Sequence, residues 1–97
     1  MPTYVTLVRW TDQGIRNVKD APKRVEAFET AVKGAGGKLK DFYLVMGEYD
    51  LLVVTEAPND ETVARLTLAT GMMGNVRTTT MRAFTREETT KIIGNLP

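Results

Sequence analysis

The 97-residue chain carries 13 basic and 12 acidic residues for a net charge of +1, is 42% hydrophobic and 26% charged, and has neither cysteine nor histidine. This is ordinary composition for one globular domain, residues 1–97, and it argues against disorder. The missing residue types exclude disulfides, thiol catalysis, Cys/His zinc sites, His-based acid/base chemistry and a haem held by a proximal histidine.

Thr3 to Trp10, "TYVTLVRW", alternates and is rich in β-branched and aromatic residues, which predicts a first strand. Thr11 or Asp12 can cap the helix that follows, where Ile15, Val18, Val25, Phe28, Val32 and Ala35 recur at helical spacing. Pro22 lies inside that span and is expected to bend it or start a second piece, because its ring removes a donor and clashes with the preceding turn. Gly34 to Gly37, "GAGG", stops the helix. Lys38 to Met46 and Asp50 to Ala57 read as strands two and three, with Gly47-Glu48-Tyr49 joining them as a hairpin. Pro58-Asn59-Asp60 leads into a second helix marked by Val63, Leu66, Ala69, Thr70 and Met73 and stopped by Gly71 to Gly74. Val76 to Thr85 is a fourth strand, and Thr85 with Glu88 forms a capping box for a short terminal helix carrying Ile92, Ile93 and Leu96.

The order β-α-β-β-α-β plus a terminal helix predicts an α+β, ferredoxin-like sandwich, a four-stranded antiparallel sheet with helices on one face. Two helices cover only one face, yet both parities of the strands are apolar. Val5 and Leu7 oppose Tyr4, Val8 and Trp10; Leu52 and Val54 oppose Leu51 and Val53; Phe42, Leu44 and Met46 oppose Tyr43 and Val45. A water-facing sheet should alternate more cleanly, and a patch of that size is rarely left bare. Either the terminal helix folds over the open face, or a second copy packs sheet to sheet and closes a two-fold α/β barrel. The second arrangement is expected, giving a homodimer or higher oligomer.

"GEYDLLVVTEAPNDE" and "TGMMGNVRTTTMRAF" resemble the GYD family, small bacterial and archaeal proteins of the dimeric α/β-barrel group. Gly47-Glu48-Tyr49-Asp50 matches the namesake motif with one residue inserted, and the resemblance spans nearly the whole chain. The same stretches are similar to the ligand-binding domain of leucine-responsive-type regulators. There a Gly-x-Tyr-Asp turn and a Gly-Val-x-x-Thr-x-Thr strand start help to form small-ligand sites between subunits. The resemblance maps the first onto Gly47, Tyr49 and Asp50 and the second onto Gly74, Val76, Thr78 and Thr80, with Asn75 as an extra residue before the valine. No stretch of this chain matches those regulators' DNA-binding helix-turn-helix.

Gly47 to Asp50 has two readings. As a turn, Gly47 supplies a positive φ and Asp50 bonds backbone N–H groups. As a site, Glu48 and Asp50 stand at a pocket mouth and receive an amine or a cation, although two carboxylates are too few to argue a metal. Strand four repeats the ambiguity. Its threonines suit any strand, but with Arg77 and Arg82 they also form a row able to bind a carboxylate or phosphate. Alternation puts Thr78, Thr80 and Arg82 on one face and Arg77 and Thr79 on the other. Tyr4 beside Arg9 or Arg82 would make an acid/base pair, since a nearby guanidinium lowers a phenol's pKa.

The expected function is a small-molecule-binding or regulatory module, with ligand contacts from Gly47, Glu48, Tyr49, Asp50, Thr78, Thr80 and Arg82. A cofactor-free isomerase- or monooxygenase-like enzyme and a purely structural assembly protein are the alternatives. No cofactor is expected. No block of like charge makes a case for nucleic acid or a membrane surface, and no run approaches the ~20 apolar residues of a membrane helix. "MPTYVTLVRW" lacks the charged and apolar regions of a signal peptide, so the cytoplasm is the expected compartment.

Overall fold

The structure, a computed structural model describing residues 1–97, has strands β1 (Thr3–Trp10), β2 (Lys38–Leu44), β3 (Leu51–Glu56) and β4 (Val76–Ala83), and helices α1 (Asp12–Arg16), α2 (Ala21–Gly34), α3 (Asp60–Met72) and α4 (Arg86–Gly94). A 3-10 turn, Val18–Asp20, links α1 to α2. The sheet is antiparallel in the order β2-β3-β1-β4, the ferredoxin-like arrangement, and it is not closed. Pro22 sits in the first turn of α2, where its missing N–H costs nothing. The long helical pattern therefore splits at that point into two pieces.

Alternation divides each strand between two environments. Tyr4, Thr6 and Val8 of β1 are buried under α2 and α3, as are Leu51, Val53 and Thr55 of β3. Val8, Leu51, Val53 and Val76 form one core cluster, with Trp10, Phe28 and Leu39 packed against it. Tyr4, Ala57 and Val63 form a second. Only 12 of 97 residues are buried, so the small core leaves much apolar surface without a partner.

Some of that surface is the other face of the sheet. Val5, Leu7, Leu52 and Val54 are half-buried there, while Tyr43 and Met81 are exposed. Helix α4 buries none of its residues and leaves Ile92 and Ile93 in solvent. Its start is nonetheless well formed: Thr85 and Glu88 make both halves of the capping box, at 3.1 and 2.9 Å. No helix is long and apolar enough to cross a membrane.

The connection between β2 and β3 is longer than a tight hairpin. Regular pairing ends at Leu44↔Leu51, so residues 45–50 form the loop, closed by the Val45 N–H donating to the Asp50 carbonyl at 2.8 Å. Gly47 has φ 120°, a conformation in which a Cβ would be strained. At the same end of the sheet Gly14 allows α1 to touch the β4 approach, since a Cβ on it would lie 1.9 Å from the Asn75 carbonyl oxygen.

Candidate functional site

The Gly47–Asp50 turn is built around the last residues of β1. Val8 and Trp10 both aim their backbone groups toward β3. The Val8 carbonyl is met by the Asp50 N–H at 2.9 Å, but beyond Asp50 the chain turns away. The Asp50 carboxylate takes the strand's place and accepts the Trp10 N–H at 2.9 Å. A donor that would otherwise be stranded is thereby satisfied. Glu48 and Tyr49 serve Arg9 instead: Glu48 accepts from its guanidinium at 2.6 Å, and the Tyr49 ring centroid lies 4.7 Å from its Cζ.

The start of β4 is pinned from α1. The Asn75 carbonyl accepts the Thr11 N–H at 3.0 Å, and its side-chain oxygen accepts from Gln13 at 2.9 Å. Thr11 in turn donates to the Gly74 carbonyl at 2.5 Å and caps α1 by accepting from Gly14. The residue that departs from the regulators' pattern, Asn75, is thus the one that fastens β4 to α1.

Between the sheet and the two long helices lies an open cleft of about 370 Å³, within the ~300–1,000 Å³ range of small-molecule pockets. Its floor includes Val8, Trp10, Leu51, Val53 and Val76, and Phe28 and Leu66 close in from α2 and α3. The space exists because the helices present short side chains, Ala27 and Ala31 from one and Ala69 and Thr70 from the other. The polar lining residues are Thr6, Thr78 and Asn75 on the sheet side, Thr67 and Thr70 on α3, and Asp20, Lys23 and Arg24 near the start of α2. Arg24 already donates to the carbonyls of Gly14 and Asn17 at 3.2 Å.

The residues singled out in the sequence do not converge. Thr78 lines the cleft. Gly47, Glu48, Tyr49 and Asp50 lie at the Trp10 end of the sheet, and only Asp50 reaches the cleft, through Trp10. Thr80 pairs its hydroxyl with that of Thr6 at 3.0 Å. Arg82 opposes Tyr4 across the ladder, whereas Val76 opposes Trp10. At the usual strand rise those two ends are roughly 20 Å apart. Arg82 lies 4.4 Å from the Phe84 ring centroid and 5.8 Å from that of Tyr4, and it is 3.9 Å from the Glu88 carboxylate.

Tyr4 corrects an expectation. Its hydroxyl donates to Asp60 at 2.5 Å, and the residue is buried. Burial first, then the hydrogen bond to Asp60 and that residue's negative charge, push the phenol above its ordinary value, and the opposing pull of Arg82 is the smallest effect. Arg9 lies on the other face of the sheet and plays no part. The group is a protonated donor that ties β1 to the start of α3, and the arrangement does not make it a base. The cleft itself escaped the sequence reading; the signal for it was the alanines facing one another on the two helices.

Among curated proteins, the chain is 34% identical over 85 residues to a "glutamine synthetase and cystathionine beta-lyase binding protein" of Thermus thermophilus, covering 87% of this chain and 90% of the relative. Among solved structures it matches one described as FFRP-DM1, with a TM-score of 0.61 at 26% identity, over 87% of this chain and all of the other. It also matches a feast or famine regulatory protein of Mycobacterium tuberculosis complexed with L-methionine, with a TM-score of 0.66 at 19% identity, over 88% of this chain. The chain spans about half (51%) of that regulator, and at this identity the likeness is one of fold. The GYD domain model matches residues 4–93, and with it the motif turn, the pinned β4 and the four-stranded sheet: the chain belongs to the GYD domain family.

Proposed function

We propose that this protein is a small-molecule-binding regulatory module that works as a homodimer or higher oligomer. The observation that carries the reading is the apolar cleft between the sheet and helices α2 and α3, beside the start of β4. A ligand with an apolar body would fill the space left by the facing alanines, and its polar end would meet Thr78 and Asn75. The Gly47–Asp50 turn acts at one remove, because Asp50 fixes Trp10 in the cleft floor. Thr80 and Arg82 stand outside the cleft in this reading: Thr80 bonds Thr6 within the sheet, and Arg82 faces Glu88 of α4. Few groups in the cleft can move a proton, which favours binding over catalysis.

The half-buried Val5, Leu7, Leu52 and Val54 supply the surface for a second copy, packed sheet to sheet into an α/β barrel. Ligand occupancy would shift assembly by its differential affinity for the two states. The Thermus relative's name supports an interaction module whose partner is a metabolic enzyme. Met73 suits such coupling: it lines the cleft and is 66% exposed, so a guest would change the surface that a partner meets.

Native mass spectrometry of gently purified protein tests both parts at once. A dimer or higher oligomer retaining a defined small mass is expected. Leu7→Lys should yield folded monomer, because a charge would then face the partner's apolar sheet. A wild-type monomer at micromolar concentration would sink the barrel assembly, and failure to retain or bind any apolar molecule would sink the binding module.

A further inference from the structure

We propose that Arg9 and Arg77 form a binding site for a small oxyanion, a carboxylate or phosphate group, on the open face of the sheet. The two residues are direct cross-strand partners between β1 and β4. On one face of an antiparallel pair, opposite side chains start ~5 Å apart, and like charges placed so are destabilising. Glu48 relieves only one of them. It holds the Arg9 guanidinium at 2.6 Å, while Arg77 makes no ion pair. One of the two positive charges on this cross-strand pair is left without a counter-charge.

The surroundings form a receptor rather than a bare charge. Arg9, Tyr49, Arg77, Thr78 and Thr79 line a depression of about 350 Å³. Arg9 is held from two directions, by the Glu48 carboxylate and by the Tyr49 ring 4.7 Å away, so little side-chain freedom remains to be lost on binding. Thr79 lies on the same face as Arg77, two residues along β4, and adds a hydroxyl donor. Guanidiniums present paired N–H groups that match the two oxygens of a carboxylate or phosphate. An anion bridging Arg9 and Arg77 would turn their repulsion into two charge-assisted contacts. The site lies across the sheet from the apolar cleft, with Thr78 alone lining both, and at the Arg9 end of the face offered to a second copy; it stands whether or not the cleft binds a ligand.

The test is a backbone-amide NMR titration of the whole chain with inorganic phosphate and, separately, acetate, each against chloride at matched ionic strength. Saturable shifts are expected at Arg9, Tyr49, Arg77 and Thr79 with at least one of the two anions. Binding of phosphate alone assigns a phosphate group, and binding of acetate alone a carboxylate. Arg77→Gln should weaken binding by about tenfold or more, the loss of a charge-assisted bond, while Arg16→Gln on exposed α1 should leave it unchanged. Arg77→Lys keeps the charge without the fork and should fall between; it carries the test if the glutamine variant folds poorly. Linear shifts spread over all basic residues, or equal binding by wild type and Arg77→Gln, would overturn the proposal.

Discussion

The carboxylate of Asp50 accepts the backbone N–H of Trp10 at 2.9 Å and so completes the edge that β3 leaves unfinished. Hydrogen bonds to a charged partner contribute ~1.5–3 kcal/mol, and a donor left unpaired costs a similar amount. Asp50→Ala should therefore lower unfolding stability by ~1.5–3 kcal/mol in urea, with Asp50→Asn closer to wild type because an amide oxygen can still accept. Ligand retained per folded molecule should change little, since Asp50 touches the cleft only through Trp10. A large loss of retention in stably folded Asp50→Ala would give the carboxylate a direct part in binding.

Tyr4 and Asp60 tie the first strand to the second long helix. The raised phenol pKa means that the folded state holds this proton more tightly than the unfolded chain. The stabilisation is complete below the unfolded value, ~10, and is lost as pH climbs through the higher folded value. Tyr4→Phe should cost ~1–2 kcal/mol at neutral pH, and the penalty should shrink in strongly alkaline solution. The difference in 295 nm absorbance between wild type and Tyr4→Phe should titrate above the free-tyrosine range; a difference titrating below pH 10 would contradict the burial argument.

Helix α4 offers the opposite sign. The Thr85 N–H bonded to Glu88 holds that carboxyl below its ordinary value. Its contribution is present above the unfolded glutamate pKa and is lost as pH falls through the lower folded one. Amide exchange in α4 should accelerate as pH drops from about 5 to about 3, after correction for intrinsic rates. Glu88→Gln should flatten this dependence. Thr85→Ala should loosen α4 by ~1 kcal/mol at any pH, because it removes the other half of the box.

The cleft is testable by filling it. Ala69 faces it from α3, and leucine is nearly as good a helix former. Ala69→Leu should raise stability by up to ~1 kcal/mol through apolar burial at ~25 cal/mol per Å². Binding of an apolar fluorescent dye should fall several-fold. Unchanged dye binding would place the apolar surface it reads elsewhere, on the open sheet face or α4.

Local chemistry determined the elements. The alternation in β1, Pro22 in the first turn of α2, and the Thr85–Glu88 box each act within a few residues, so each was legible in the chain. The two-faced apolar strands likewise announced an uncovered sheet face, because side-chain period in a strand is set by the backbone alone. Placement was decided elsewhere. Whether Asp50 is ligand contact or strand substitute depends on where β1 ends beside it, and that is a matter of register across the sheet. Tyr4 was expected to feel a guanidinium, but packing buried it against a carboxylate and reversed the sign. Thr78 and Arg82 share a parity, yet the length of β4 separates them, and Arg77 meets Arg9 only because β4 pairs with β1. A strand's sequence fixes which side chains share a face; only the neighbouring strands and helices fix what those side chains meet.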